Sequence, residues 1–165
     1  MQRAIVITLL LIVAIIIAVE AVVFLRIARL PFVQVNLFGY SQSLTHWISW
    51  AGTLYIAITT PILTIVKYRA PKQYAATRNA HMIGNLVAVL LVSIHFVHQV
   101  TRPAAFYPEL GTGVVLYTTM VLLVATGIVM SMGLAASARK QIRFFHPAFA
   151  VTFYMVIVLH IIQGL

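Results

Sequence analysis

Four histidines form two pairs with the same spacing, and each pair lies in a long apolar stretch. His81 and His95 are fourteen residues apart, and so are His146 and His160. Fourteen residues turn an α-helix through about 1400°, roughly 40° short of four turns, so both imidazoles of a pair face the same side. The rise is about 21 Å, which puts one imidazole near each side of a bilayer core roughly 30 Å thick. Two such helices can hold two metal centres, one above the other, across a membrane.

The chemistry that suits these imidazoles is axial ligation of haem. An ionisable group inside a membrane helix is expensive without a partner and is a functional candidate by default. A b-type haem takes two axial imidazoles and hides both from lipid. We therefore expect two haems b per chain, an inner one between His81 and His146 and an outer one between His95 and His160. His98, three residues after His95, is the alternative outer ligand.

A planar cofactor also needs narrow helix surfaces and cations for its propionates. Glycine lets a ligand approach the backbone closely, and two glycines repeat the interval of fourteen on the segment between the histidine pairs. Arginines three residues before each inner ligand can pair with anionic propionates. The residues predicted to contact haem, besides its ligands, are Gly84, Gly113, Gly127, Arg78, Arg143 and Arg102.

The composition predicts an integral membrane protein with a single transmembrane domain over residues 1–165. The chain is 62% hydrophobic and 8% charged, whereas a soluble domain carries about 25% charged residues. There are no cysteines, which excludes disulfides, iron–sulfur clusters and covalently attached c-type haem. The net charge of +9 comes from basic residues at the ends of apolar segments. Membrane topology explains that placement, so nucleic acid is not an expected partner.

Five segments are long and apolar enough to span a bilayer. They predict an all-α bundle of five transmembrane helices, with two haems between the third and the fifth. An extra N-terminal helix (4–25) precedes a four-helix haem-binding core (45–165). Because proline is tolerated in the first turn of a helix, Pro147 predicts that the fifth helix begins close to His146. The predicted spans are 4–25, 45–66, 81–100, 113–132 and 145–165.

The basic residues predict the orientation. With a cytoplasmic N-terminus, eight lysines and arginines lie on the inner side and three on the outer side, as the positive-inside rule favours. We therefore expect a multi-pass protein of the cell membrane, with its C-terminus outside and its third and fifth helices parallel. The fairly apolar connection 26–44 is expected to lie along the interface. We interpret His46, beside two tryptophans, as part of an interfacial aromatic belt.

The two histidine segments resemble a known dihaem core. HMIGNLVAVLLVSIH and HPAFAVTFYMVIVLH are similar to the His-x13-His helices of cytochrome b from bc complexes and of the ferric reductase/NADPH oxidase membrane domain. Gly113 and Gly127 resemble the haem-facing glycines of cytochrome b. The run TGIVMSMGLAASARKQIRFFH resembles the approach to the second histidine helix of ferric reductases. The resemblance covers about 45–165 and implies a dihaem electron-transfer core.

Three function classes follow from these patterns. The first is a dihaem b-type cytochrome subunit that moves electrons between the two membrane faces. It would act with a quinone or a redox protein partner and without a catalytic domain of its own, so its status as an enzyme stays open. Glu20 and His98 are candidates for a quinone or proton site. The alternatives are a metal transporter that uses histidine ligands, such as His95 and His98, and a non-redox membrane anchor subunit.

Overall fold

Five long helices dominate the computed structural model, which describes residues 3–28, 31–102, 111–134 and 136–164. Each helix contains a stretch long and apolar enough to cross a membrane. The predicted multi-pass membrane protein with five spanning helices is therefore confirmed. The helices are α1 (Arg3–Phe24), α2 (Leu44–Arg69), α3 (Tyr74–Val100), α4 (Gly111–Met132) and α5 (Arg139–Gly164).

A short β-hairpin stands between the first two helices, where the sequence predicted only an interfacial connection. Strands β1 (Gln34–Leu37) and β2 (Tyr40–Ser43) pair antiparallel. The two residues between them, Phe38 and Gly39, have φ angles of 53° and 84°. Two consecutive positive φ angles give the turn whose twist matches that of paired strands. The hairpin leads directly into α2, where the Ser43 side chain caps the helix by accepting from the backbone N–H of His46.

The chain divides into two compact units. One covers Ile7–Tyr107 and holds most of α1, the hairpin, α2 and α3; the other covers Pro108–Leu165 with Met1–Val6 and holds α4 and α5. In the first unit α2 and α3 pack antiparallel, and in the second α4 and α5 do. A single 3₁₀ turn, Pro71–Gln73, makes the reversal between α2 and α3.

Helix α5 corrects one prediction from the sequence. It begins at Arg139, seven residues before His146, and Pro147 lies inside it. The predicted start close to His146 is therefore wrong. A membrane helix tolerates an internal proline because neighbouring groups can satisfy the carbonyl that loses its N–H partner.

Helix α3 also begins earlier than expected, at Tyr74 rather than at His81. The residues before His81 are polar and basic, so hydropathy marked the end of the apolar stretch, whereas the helix continues beyond it. Helices α3 and α5 thus each begin about two turns before their first histidine. His81 and His146 therefore lie inside continuous helix.

Candidate functional site

His146 of α5 is held by a threonine of α4. Its Nδ1 lies 3.0 Å from the Thr126 hydroxyl. That hydroxyl donates to its own helix, with its oxygen 2.8 Å from the carbonyl oxygen of Leu122 and 2.9 Å from that of Leu123. Because its one hydrogen is used there, the Thr126 oxygen accepts the Nδ1–H of His146. This assigns the Nδ1–H tautomer and leaves Nε2 unprotonated.

His160 has the same arrangement four turns further along α5. Its Nδ1 lies 3.2 Å from the Thr112 hydroxyl, and that hydroxyl donates to Oε1 of Gln163 at 2.8 Å. The Thr112 oxygen is again the acceptor for a ring N–H. Both imidazoles of this unit therefore carry their proton on Nδ1 and present Nε2 as a potential metal ligand.

Each of these threonines is followed by a glycine that also faces the histidine. A Cβ atom added to Gly127 would lie 3.3 Å from Cε1 of His146, and one added to Gly113 would lie 3.5 Å from Cε1 of His160. An alanine at 127 would press on the imidazole ring, whereas one at 113 would make an ordinary van der Waals contact with it. The two glycines thus let α4 come close to the ring edges of these histidines, and their approach to a haem stays a prediction.

The Thr-Gly dipeptide is the signal that the sequence interpretation missed. Thr112 precedes Gly113 and Thr126 precedes Gly127, so the whole dipeptide repeats at an interval of fourteen, as the histidines of α5 do. In an antiparallel pair of helices, equal intervals bring Thr112 opposite His160 and Thr126 opposite His146. The matched spacing therefore builds the same side-chain contact twice, at two depths in the membrane.

Helices α2 and α3 come into backbone contact at the level between His81 and His95. A Cβ atom on Gly52 would lie 2.8 Å from the carbonyl oxygen of Ala88, and Ala88 is midway between His81 and His95 in the chain. Glycine at 52 is therefore required for this backbone contact. Small residues at a crossing let membrane helices pack backbone to backbone.

Around His81 the partner is an amide rather than a hydroxyl. The Asn85 NH₂ lies 3.3 Å from Nδ1 of His81 and 3.4 Å from its Nε2. The Asn85 oxygen accepts from the Thr59 hydroxyl of α2 at 3.1 Å, and that hydroxyl also lies 2.8 Å from the carbonyl oxygen of Tyr55. Asn85 therefore connects His81 of α3 with Thr59 of α2.

Gly84 does not leave open space beside His81. The position that its Cβ would take is occupied by the ring of Tyr55 from α2. The Tyr55 hydroxyl donates to the carbonyl oxygen of Ala80 at 3.0 Å. Gly84 therefore accommodates a tyrosine of the neighbouring helix, and its predicted contact with haem has not been tested.

At the other end of α3, His95 packs against His46 of α2. The two ring centroids are 5.1 Å apart and nearly perpendicular, and Nδ1 of His95 is buried. The Trp50 indole N–H donates to Nε2 of His46 at 2.9 Å, so His46 carries its own proton on Nδ1. His46 thus contacts His95 directly. The sequence interpretation had placed it only in an interfacial aromatic belt.

His98 lies in a separate polar cluster under the hairpin. Its Nδ1 is 3.0 Å from the Thr45 hydroxyl, which is 3.1 Å from the Ser43 hydroxyl. All three residues are buried. The Phe32 ring stacks on the imidazole with a centroid distance of 5.9 Å. On α3, His98 is about 100° around the axis from His81, whereas His95 is about 40° away.

The three predicted arginines are placed differently. Arg78 and Arg143 are exposed, near the ends of their apolar stretches. The Arg102 guanidinium lies over the Phe32 ring, 4.8 Å from its centroid, and its partial burial lowers its pKa from the ordinary value. Arginine stays charged at neutral pH even so. All three remain cations beside apolar segments, and their contact with propionates stays a prediction.

The described residues contain no cluster of three or more histidine, cysteine, aspartate or glutamate side chains that could hold a metal ion. Haem with two imidazole ligands requires only two. The predicted pairs, His81 with His146 and His95 with His160, each join the two units of the chain and stay predictions. No protein family, no curated protein and no solved structure matches the chain.

Proposed function

We propose that this protein is a dihaem b-type cytochrome subunit that carries electrons between the two faces of a membrane. The observation that supports it best is the repeated environment of His146 and His160. In both, a threonine oxygen accepts the Nδ1–H and a glycine stands beside the ring. Histidines that bind metal commonly donate their second ring N–H to such a partner, which orients the ring and raises its basicity.

The donor set fits a bis-imidazole haem. Each threonine holds an unprotonated Nε2 in a fixed direction, and neutral imidazole is the ligand that haem iron takes in b-type cytochromes. The same residues suit charged transition metals less well, because few acids are available to balance their charge: the chain has two. Bound haem would supply reversible one-electron chemistry, while the protein supplies ligation, spacing and an apolar setting.

The proposed arrangement places an inner haem on His81 and His146 and an outer one on His95 and His160, with His98 as the outer alternative. The cytoplasmic N-terminus rests on the excess of basic residues on the inner side. Arg78 and Arg143 would serve the inner propionates and Arg102 the outer ones. Electrons would enter and leave through a quinone or a redox protein partner in the cell membrane.

An optical spectrum tests this proposal directly. The chain, expressed with haem supply and purified in detergent, should show reduced-minus-oxidised bands of a six-coordinate b-type haem. Pyridine haemochrome analysis should give two haems per chain. A monodisperse, helical preparation without haem would contradict the proposal. Zinc or copper bound at stoichiometric amounts in such a preparation would favour the transporter alternative.

A further inference from the structure

The hairpin before α2 has two chemically different faces. Its register pairs Leu37 with Tyr40 and Val35 with Gln42. These four side chains share one face because alternate residues of a strand point to the same side. The opposite face carries only polar side chains, which are Gln34, Asn36, Ser41 and Ser43. The hairpin is therefore amphipathic.

The tip of the hairpin carries an exposed aromatic side chain in a costly conformation. Phe38 is 91% exposed and has a φ of 53°, a region that favours glycine or asparagine over bulky residues. Leu37 and Tyr40 beside it are 41% and 60% exposed. An apolar tip kept at a strained position, with apolar neighbours, marks an interaction surface.

The depth of the hairpin is set by α2. Strand β2 ends at Ser43, and the membrane-spanning helix begins at the next residue. The Trp47 indole, in the first turn of that helix, donates to the carbonyl oxygen of Val35 at 3.0 Å. This bond holds β1 beside the end of a span, at the level where tryptophan accumulates in membrane proteins.

The open edges of the hairpin limit how far it can enter the bilayer. A two-stranded ribbon leaves backbone N–H and C=O groups unpaired along its outer edges, and such groups are not tolerated in hydrocarbon. In the headgroup zone, water and lipid polar groups can satisfy them. An isolated hairpin is only marginally stable in water, so contact with a lipid surface would also stabilise it.

We propose that the hairpin 34–43 is a membrane-surface anchor. Its tip, Leu37, Phe38 and Tyr40, inserts among the lipid headgroups of the leaflet in which α2 begins, while Gln34, Asn36 and Ser41 face water. Residues 31–66 contain no lysine, arginine, aspartate or glutamate, so insertion of the hairpin itself rests on apolar contact.

Single cysteines test the proposal, because the chain has none of its own. Phe38→Cys and, as a matched control on the polar face, Ser41→Cys are labelled with an environment-sensitive fluorophore in phosphatidylcholine proteoliposomes. The label at position 38 should be quenched by lipids that carry a nitroxide near the headgroup and protected from aqueous iodide. The label at position 41 should show the reverse, with several-fold stronger iodide quenching.

Two outcomes would overturn the anchor. Equal iodide quenching at both positions would mean that the tip stands in water. Shielding of position 38 from both iodide and nitroxide lipid would mean that a protein surface covers it instead.

A second variant addresses Phe38 itself. Phe38→Asn keeps a residue that suits the turn and removes the apolar ring. A fluorophore at Leu37→Cys should become more accessible to iodide in that background than with Phe38 present. Unchanged accessibility would contradict the role of Phe38 as the anchor. None of these measurements depends on haem, so their failure is distinct from failure of the proposed function.

Discussion

The two antiparallel helix pairs carry the same histidine interval but support it in different ways. In α4 and α5 one device is used twice: a threonine oxygen accepts the Nδ1–H, and the adjacent glycine faces the ring. In α2 and α3 each histidine has its own surroundings, an asparagine for His81 and a second histidine for His95. The same histidine spacing is therefore supported by one contact used twice in α5 and by two different contacts in α3.

The level between the histidines differs as well. In the first unit the two helix backbones are in contact there, Gly52 against Ala88. In the second unit the corresponding levels hold Met120 and Phe153, which are 1% and 2% exposed. One pair is joined by contact of small residues and the other by large buried side chains, and the two should respond differently to substitution.

The largest expected effect is the loss of one haem when either histidine of α5 is replaced. His146→Ala and His160→Ala should each reduce the haem content from two per chain to one, because each removes an axial ligand from a different site. His81→Ala should leave the same remaining centre as His146→Ala, which a redox titration identifies by its midpoint potential. If both α5 variants lose the same haem, the repeat does not correspond to two sites.

The second prediction decides between His95 and His98 as the outer haem ligand on α3. His95→Ala should remove the outer haem, since His95 keeps the interval of fourteen from His81, whereas His98→Ala should retain both haems. Haem content and the low-spin optical bands report the difference. Because a threonine hydroxyl lies at Nδ1 of His98, as at the histidines of α5, the reverse result would transfer the outer ligand to His98.

Removal of the threonine hydroxyl that accepts the Nδ1–H of His146 should have a smaller but measurable effect. Thr126→Val removes the acceptor for the Nδ1–H of His146, and loss of such a partner typically costs about 10–100-fold in metal affinity. Haem retention during dilution into apomyoglobin, a haem acceptor, measures this loss, and Thr126→Ser should restore affinity. Thr119→Val is the control, because that hydroxyl donates to the carbonyl oxygen of Val115 in its own helix. Equal losses in Thr126→Val and Thr119→Val would refute a specific role for Thr126.

The smallest expected effect concerns stability rather than haem. Gly52→Ala would bring a methyl group within 2.8 Å of the Ala88 backbone oxygen, and overpacking of this kind costs about 1–3 kcal/mol. At Gly111→Ala no atom of the described residues lies within 4 Å of the added atom, and stability should change by less than about 0.5 kcal/mol. Thermal unfolding in one detergent compares them. Equal stability of the two variants would show that the Gly52 crossing is not tightly packed.

Much of the fold could be predicted from the sequence because hydrocarbon imposes simple rules. Five apolar stretches of sufficient length predicted the five spanning helices, while the histidine interval stays a prediction of haem ligands. The helix ends could not be predicted, since Tyr74 and Arg139 begin helices in polar sequence that hydropathy does not score. The hairpin was missed although polar and apolar residues alternate over Gln34–Leu37, before Gly39, a pattern typical of a strand.

The site was predicted only in part, for a physical reason. Ligand candidates are rare residue types in an apolar chain, so they stand out. Their supporting partners, Thr112, Thr126 and Asn85, are ordinary polar residues whose contacts depend on the register between helices. The repeat of Thr-Gly at fourteen was visible in the sequence. The contact of His46 with His95 depends only on the register between α2 and α3, and no repeat in the sequence indicates it.

The matched intervals in α4 and α5 also restrict how this chain can change its length. Deleting one residue between Thr112 and Thr126 would rotate one threonine by about 100° and draw it about 1.5 Å along the axis. One histidine would keep its hydroxyl while the other faced a different residue. A compensating deletion in α5 would have to fall between His146 and His160 to restore both contacts. Within these two fourteen-residue windows, insertions and deletions should therefore be tolerated only in pairs.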